Sequence, residues 1–197
     1  MGAGHDHASG TNNRTRLLIA FIITVGVVIA QAVGAIVTGS LALLVDTAHM
    51  LTDSAGLLMA LIAAGLMQRP ATNKHSWGLK RTEVLSAMAQ SSLLFAVGIY
   101  ALVEGVRRLF DPPEIQAGSL VIFGIIGLLA NIAAMIVLTS GRNSNLNMRA
   151  AFLEVVNDAL GSVGVILSAI VIAFFGWYQA DAVAGILIAL LIVPRTI

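Results

Sequence analysis

Residues 41–56 read LALLVDTAHMLTDSAG, and the apolar run continues to Met67 without another charge. A helix needs about 20 apolar residues to cross the hydrocarbon of a bilayer, so this run is long enough to span one. Yet it carries Asp46, His49 and Asp53 in its middle, three and four residues apart. That spacing stacks all three on one face of a helix. An ionised side chain at the centre of a membrane costs roughly 2.5–3.5 kcal/mol on insertion scales, so such a face turns inward and is functional by default.

The rest of the chain has the same character. Of its 197 residues 58% are hydrophobic and only 11% are charged, with a mean hydropathy of +0.93. Soluble domains carry roughly 25% charged residues. A composition this apolar is read as repeated membrane spans. A net charge of +1, with no basic stripe interleaved with aromatics, leaves no footprint for nucleic acid. With no cysteine, disulfides and thiolate ligands are both excluded, so any metal here is held by nitrogen and oxygen.

Five runs reach spanning length: 17–38, 40–67, 84–103, 117–139 and 150–175. A sixth, 180–193, is shorter and stops at Pro194. Ala, Leu, Ile and Gly dominate, without the alternation of barrel strands, so all six are expected as α-helices in an all-α, polytopic membrane bundle. Residues 1–16 have no signal-peptide core and are expected as a disordered cytoplasmic tail, with 17–197 forming the six-helix domain. Nine of the eleven basic residues (Arg14, Arg16, Arg69, Lys74, Lys80, Arg81, Arg142, Arg149, Arg195) fall on one set of alternating loops, and Arg107 and Arg108 on the other. The positive-inside rule then puts both termini in the cytoplasm, as in an integral protein of the plasma (inner) membrane.

A second charged face lies in residues 150–164, AAFLEVVNDALGSVG, where Glu154 and Asp158 are again one turn apart and Asn157 lies beside them. A divalent cation is the simplest shared ligand, because it neutralises carboxylates that would otherwise repel one another. His49, Asp53, Glu154 and Asp158 together offer a tetrahedral N/O shell. Such a shell suits Zn2+, tolerates Cd2+, Co2+, Fe2+ or Mn2+, and is a poor match for Cu(I). Ligands must lose protons before they bind metal, so the same groups supply a route to metal/proton antiport.

Other polar residues have blander readings. Asp46 lies one turn before the ligands and is expected either to orient His49 or to ligate directly. Asn157 and Asn131 are expected as polar glue between helices rather than ligands. Asp181 opens the sixth span, where it is expected to cap a helix N-terminus. Glu104, Arg107 and Arg108 look like a solvated or snorkelling edge. His5, Asp6 and His7 have ligand chemistry on a floppy tail, and His75 lacks acidic partners. Gly124/Gly127 and Gly161/Gly164 are expected to let helices approach closely.

Four stretches carry a family resemblance: GSLALLVDTAHMLTDSAGL at 39–57, HSWGLKRTEVLSAM at 75–88, RAAFLEVVNDALGSVGVI at 149–166 and ADAVAGILIALLIV at 180–193. They resemble the cation diffusion facilitator family of metal/proton antiporters, and the likeness runs from about residue 15 to 193. The His49-x-x-x-Asp53 pair preceded by Asp46 is similar to the zinc-type branch. The resemblance implies export of Zn2+ or a similar ion from the cytoplasm, inward proton flow, alternating access within six helices, and a homodimer. The zinc branch usually has His at the position of Glu154, so the ligand set here is harder. Members usually carry a cytoplasmic metal-binding domain after the sixth span, which is expected to be absent from this chain, since it ends at Ile197.

Two rival functions use the same residues. An intramembrane aspartyl-type enzyme would pair Asp53 with Asp158, but His49 and Glu154 add ligands such a dyad does not need. An organic cation exporter would line its pocket with aromatics for cation–π contact, whereas only 6% of residues are aromatic and none immediately flanks the charged pairs.

Overall fold

A computed structural model describes residues 6–67, 81–143 and 146–192. Six helices run in order: α1 (Asp6–Thr38), α2 (Leu41–Met67), α3 (Arg81–Phe110), α4 (Ala117–Thr139), α5 (Leu146–Phe175) and α6 (Gln179–Ile192). The described residues contain no strand. Three segments are long and apolar enough to cross a membrane on length and composition, Thr15–Thr38, Ala117–Thr139 and Met148–Phe175, and Gln179–Leu191 is a shorter apolar helix.

The expected helix 117–139 has the same bounds in the structure. Three others reach further, and of these α5 starts at Leu146, four residues before 150. The helix opening the chain starts at Asp6, so the supposed tail is helical from there, because adding a residue to an existing helix is far easier than nucleating one. The third helix runs seven residues past Val103, to Phe110. His5, His75 and the basic residues Arg69, Lys74, Lys80 and Arg195 lie outside the described residues, as does the side chain of His7.

The exposed and buried faces are inverted relative to a soluble helix. On α1, Ile22, Ile29 and Ile36 follow one another at seven-residue spacing and are 61%, 62% and 83% exposed, while Gln31 on the same helix is fully buried. Apolar surface outside and polar groups inside is stable only where lipid replaces water. Inside, α1 packs on α2 and α4, α4 on α5, and α2 touches α5 across the bundle, while α3 and α6 pair with each other beside α2. Leu41, Leu43, Val45, Leu120, Val165 and Ala189 are at the heart of the largest apolar cluster.

Short connections join α1 to α2 and α5 to α6. Gly39 (φ +68°) and Gly176 (φ +64°) end α1 and α5 in the left-handed conformation, each returning its N–H to a helix carbonyl, Ala35 O and Ile172 O, at 2.9 Å. Only glycine takes that conformation without a Cβ penalty, and it closes the helix ends where side chains could not.

Candidate metal centre

The centre lies where α2 and α5 meet. The two helices are antiparallel, and Asp46 on α2 sits directly against Gly161 on α5, where even a Cβ would overlap the carboxylate. With that register, His49 comes level with Asp158 and Asp53 with Glu154, because residues three, four and seven apart stay on one face of each helix.

The side chains obey the register. His49, Asp53 and Glu154 each offer a ligand atom, and these atoms all lie within 4.8 Å of one another. His49 Nε2 stands 3.3 Å from Asp53 Oδ2 across one turn of α2. His49 is buried, and Asp53 and Glu154 are half-buried. Asp158 falls outside this 4.8 Å group, one turn along α5 from Glu154, yet it is buried. One imidazole and two carboxylates that close together are a ligand set for a divalent ion, and the third carboxylate is one turn away.

Asp46 is fully buried and accepts a hydrogen bond from Gln31 Nε2 of α1 at 3.1 Å. Gln31 was not singled out by the sequence. The available signal was an uncharged amide halfway along an otherwise apolar run. Asn131 of α4 is also buried and donates to Ser162 Oγ of α5 at 3.5 Å. Asn157, by contrast, is not brought to the centre. It is exposed, on the outward stripe with Leu153 and Leu160, because one residue along a helix turns the side chain about 100° away from Asp158.

Two other polar groups have partners their sequence context did not disclose. Asp181 does cap a helix, but the helix is α2, not its own. Its carboxylate accepts from Ser40 Oγ, from Leu41 N at 2.6 Å and from Ala42 N at 3.3 Å. Ser40 Oγ in turn accepts from Leu43 N at 3.1 Å, so the first turn of α2 is capped twice. Arg108, expected at a solvated edge, is anchored: its guanidinium donates to Gly39 O at 2.7 Å and to Glu104 Oε1 at 2.9 Å. Arg107 reaches Glu104 at 3.7 Å and is exposed, as an edge residue would be.

The glycines do more than bring backbones together. Gly124 packs against Ile166, whereas Gly127 leaves room for Gln31 and Ser162, and Gly161 for Asp46. Gly164 has only an ordinary contact, with Ile188.

A buried polar centre inside a helical bundle that turns apolar surface outward defines a class, that of polytopic α-helical membrane proteins. Comparison with known sequences makes the class specific. The profile of the cation efflux transmembrane domain matches residues 17–196, and the chain belongs to that family, the cation diffusion facilitators. Its family is one of transport domains, not of enzymes, and the chain is a multi-pass membrane protein of the bacterial plasma membrane.

Three relatives illustrate the likeness. The chain is 45% identical over 196 residues to the metal cation efflux system protein CzcD of Cupriavidus metallidurans, covering 100% of this chain and 62% of that protein. It is 43% identical over 194 residues to a cadmium, cobalt and zinc/H+-K+ antiporter of Bacillus velezensis, covering 98% and 62%. With the zinc transporter ZitB of Escherichia coli the identity is 41% over 197 residues, covering 98% and 63%. The chain thus spans about three-fifths of the length of these relatives.

Proposed function

We propose that this chain moves divalent transition-metal cations, Zn2+ foremost, out of the cytoplasm in exchange for protons. One observation carries the reading: ligand atoms of His49, Asp53 and Glu154 converge within 4.8 Å between two helices of a lipid-facing bundle. In the cytoplasm-open state the deprotonated groups take the ion, with Asp158 completing the shell as α5 shifts on α2. In the outward-open state protons return to the same groups and the ion leaves, the helices rocking about a stationary site.

The names of the relatives support this cargo, since they include a zinc transporter and a cadmium, cobalt and zinc antiporter. An N/O shell without sulfur admits Cd2+, Co2+, Fe2+ and Mn2+ besides Zn2+. Both termini are assigned to the cytoplasm on the distribution of basic residues, and a homodimer on the family resemblance. The aspartyl-type enzyme and the organic cation exporter have no support from the relatives.

Transport into proteoliposomes tests the reading. A pH gradient should drive Zn2+ uptake, and uptake of Zn2+ should dissipate the gradient. Asp53→Ala and Asp158→Ala should each abolish both while the protein stays monodisperse. Normal flux through both variants rejects the site.

A further inference from the structure

We propose that Gln31, Asp46, Asn131 and Ser162 form a second cation site, distinct from the metal centre, that takes a monovalent alkali-metal ion. The four residues come from α1, α2, α4 and α5, and all are at most 1% exposed. Asp46 lies three residues from His49, about 4.5 Å along α2 toward its N-terminus. Gln31 Nε2 is bonded to Asp46 Oδ2 at 3.1 Å, and Asn131 Nδ2 to Ser162 Oγ at 3.5 Å. The two pairs face one space. A Cβ on Gly127 would stand 2.5 Å from Gln31 Nε2 and 2.9 Å from Ser162 Oγ, and a Cβ on Gly161 would overlap Asp46. Two glycines therefore make the room in which these side chains come together.

What the groups lack identifies the ligand. Gln31 Oε1 and Asn131 Oδ1 are buried and accept no hydrogen bond among the described residues. No Lys or Arg side chain bonds Asp46 there either. Two amide oxygens, a carboxylate and a hydroxyl form an all-oxygen donor set, the kind that hard cations choose. A proton on Asp46 would cancel the charge but could donate only one hydrogen bond, leaving at least one amide oxygen orphaned. A metal cation, unlike a proton, takes several oxygen donors at once.

Charge selects the valence. The cluster contains one carboxylate, so an alkali ion leaves it neutral, whereas a divalent ion leaves a net positive charge in low dielectric, where uncompensated charge is expensive. This site goes beyond the metal/proton exchange proposed above, and its occupancy can be measured whether or not that exchange is correct.

Equilibrium binding of 86Rb+ and of 22Na+ to the purified full chain, in nanodiscs free of divalent ions, tests the proposal. Saturable binding of at least one ion is expected. It should weaken by about tenfold or more in Asp46→Asn and in Asn131→Leu, and by no more than about threefold in Glu154→Gln, which alters the metal centre instead. Calorimetric Zn2+ titration of Asp46→Asn and Asn131→Leu, whose metal-centre ligands are intact, reports whether they are folded. If Asp46→Asn does not fold, Gln31→Leu and Asn131→Leu decide. Absence of saturable binding of either ion overturns the proposal, as does binding unchanged in the folded variants. Binding lost only in Glu154→Gln also overturns it, by placing the ion at the metal centre.

Discussion

Replacing Asp181 by alanine should destabilise the protein while sparing its metal site. The carboxylate takes three hydrogen bonds at the first turn of α2, from Ser40 Oγ, Leu41 N and Ala42 N, and both backbone donors belong to residues with no exposure at all. Alanine leaves those two N–H groups buried without an acceptor, at about 1–3 kcal/mol each. It also removes a negative charge from the positive end of the helix dipole, worth about 0.3–1 kcal/mol. Ser40 still caps Leu43 N, so a net loss of about 3 kcal/mol is expected rather than the full sum. For a chain of this size that lowers the unfolding midpoint by roughly 6–12 °C. Asp181→Asn keeps one acceptor oxygen and should lose about half as much. His49 lies eight residues further along α2, about 12 Å away, so Zn2+ affinity of the folded variant should stay within about twofold. Thermal unfolding in detergent, monitored by circular dichroism and paired with calorimetric Zn2+ titration, reads both quantities. An unchanged midpoint in Asp181→Ala would show that the carboxylate does not hold α2. A large loss of metal affinity in the folded variant would refute its separation from the site.

The same contacts set other outcomes. Gly161→Ala pushes a methyl group into Asp46 and should lower the unfolding midpoint by several degrees, at about 1–3 kcal/mol for overpacking, whereas Gly26→Ala, which meets nothing within 4 Å, should not lower it. Arg108→Ala frees Gly39 O and Glu104 in a half-exposed place, and differential scanning fluorimetry should show a loss of only about 1 kcal/mol. Glu154→His replaces an oxygen ligand by nitrogen and should raise the preference for Zn2+ over Mn2+ by about tenfold in competition titrations. Because bound metal requires deprotonated ligands, Zn2+ affinity of the wild-type protein should fall as pH falls, by up to about tenfold per pH unit for each proton displaced.

How much of this the sequence disclosed depends on how local each feature is. Helix α4 was legible to the residue because Ala117 and Thr139 mark where apolar sequence stops. The start of α1 was not, since residues 6–16 are polar and their helicity extends a helix set by the apolar run beginning at Leu17. His49, Asp53, Glu154 and Asp158 stood out because an i, i+4 spacing of charges in apolar surroundings is a pattern within one segment. The partners of Asp46 and Asp181 were hidden, because Gln31 and Ser40 are uncharged and the second pair is 141 residues apart in the chain. Asn157 misled by adjacency: next to Asp158 in sequence, it is about 100° round the helix from it.

Calorimetric Zn2+ titration of the purified protein beside Asp53→Ala and Glu154→Ala tests most directly whether α2 and α5 share one ion. One ion per chain is expected, bound at least about tenfold more weakly in each single variant. The double variant should be little weaker than either single one, as for residues that act on one ligand. Two independent sites, or affinity losses that simply add, would mean that the two helices do not meet at a common ion.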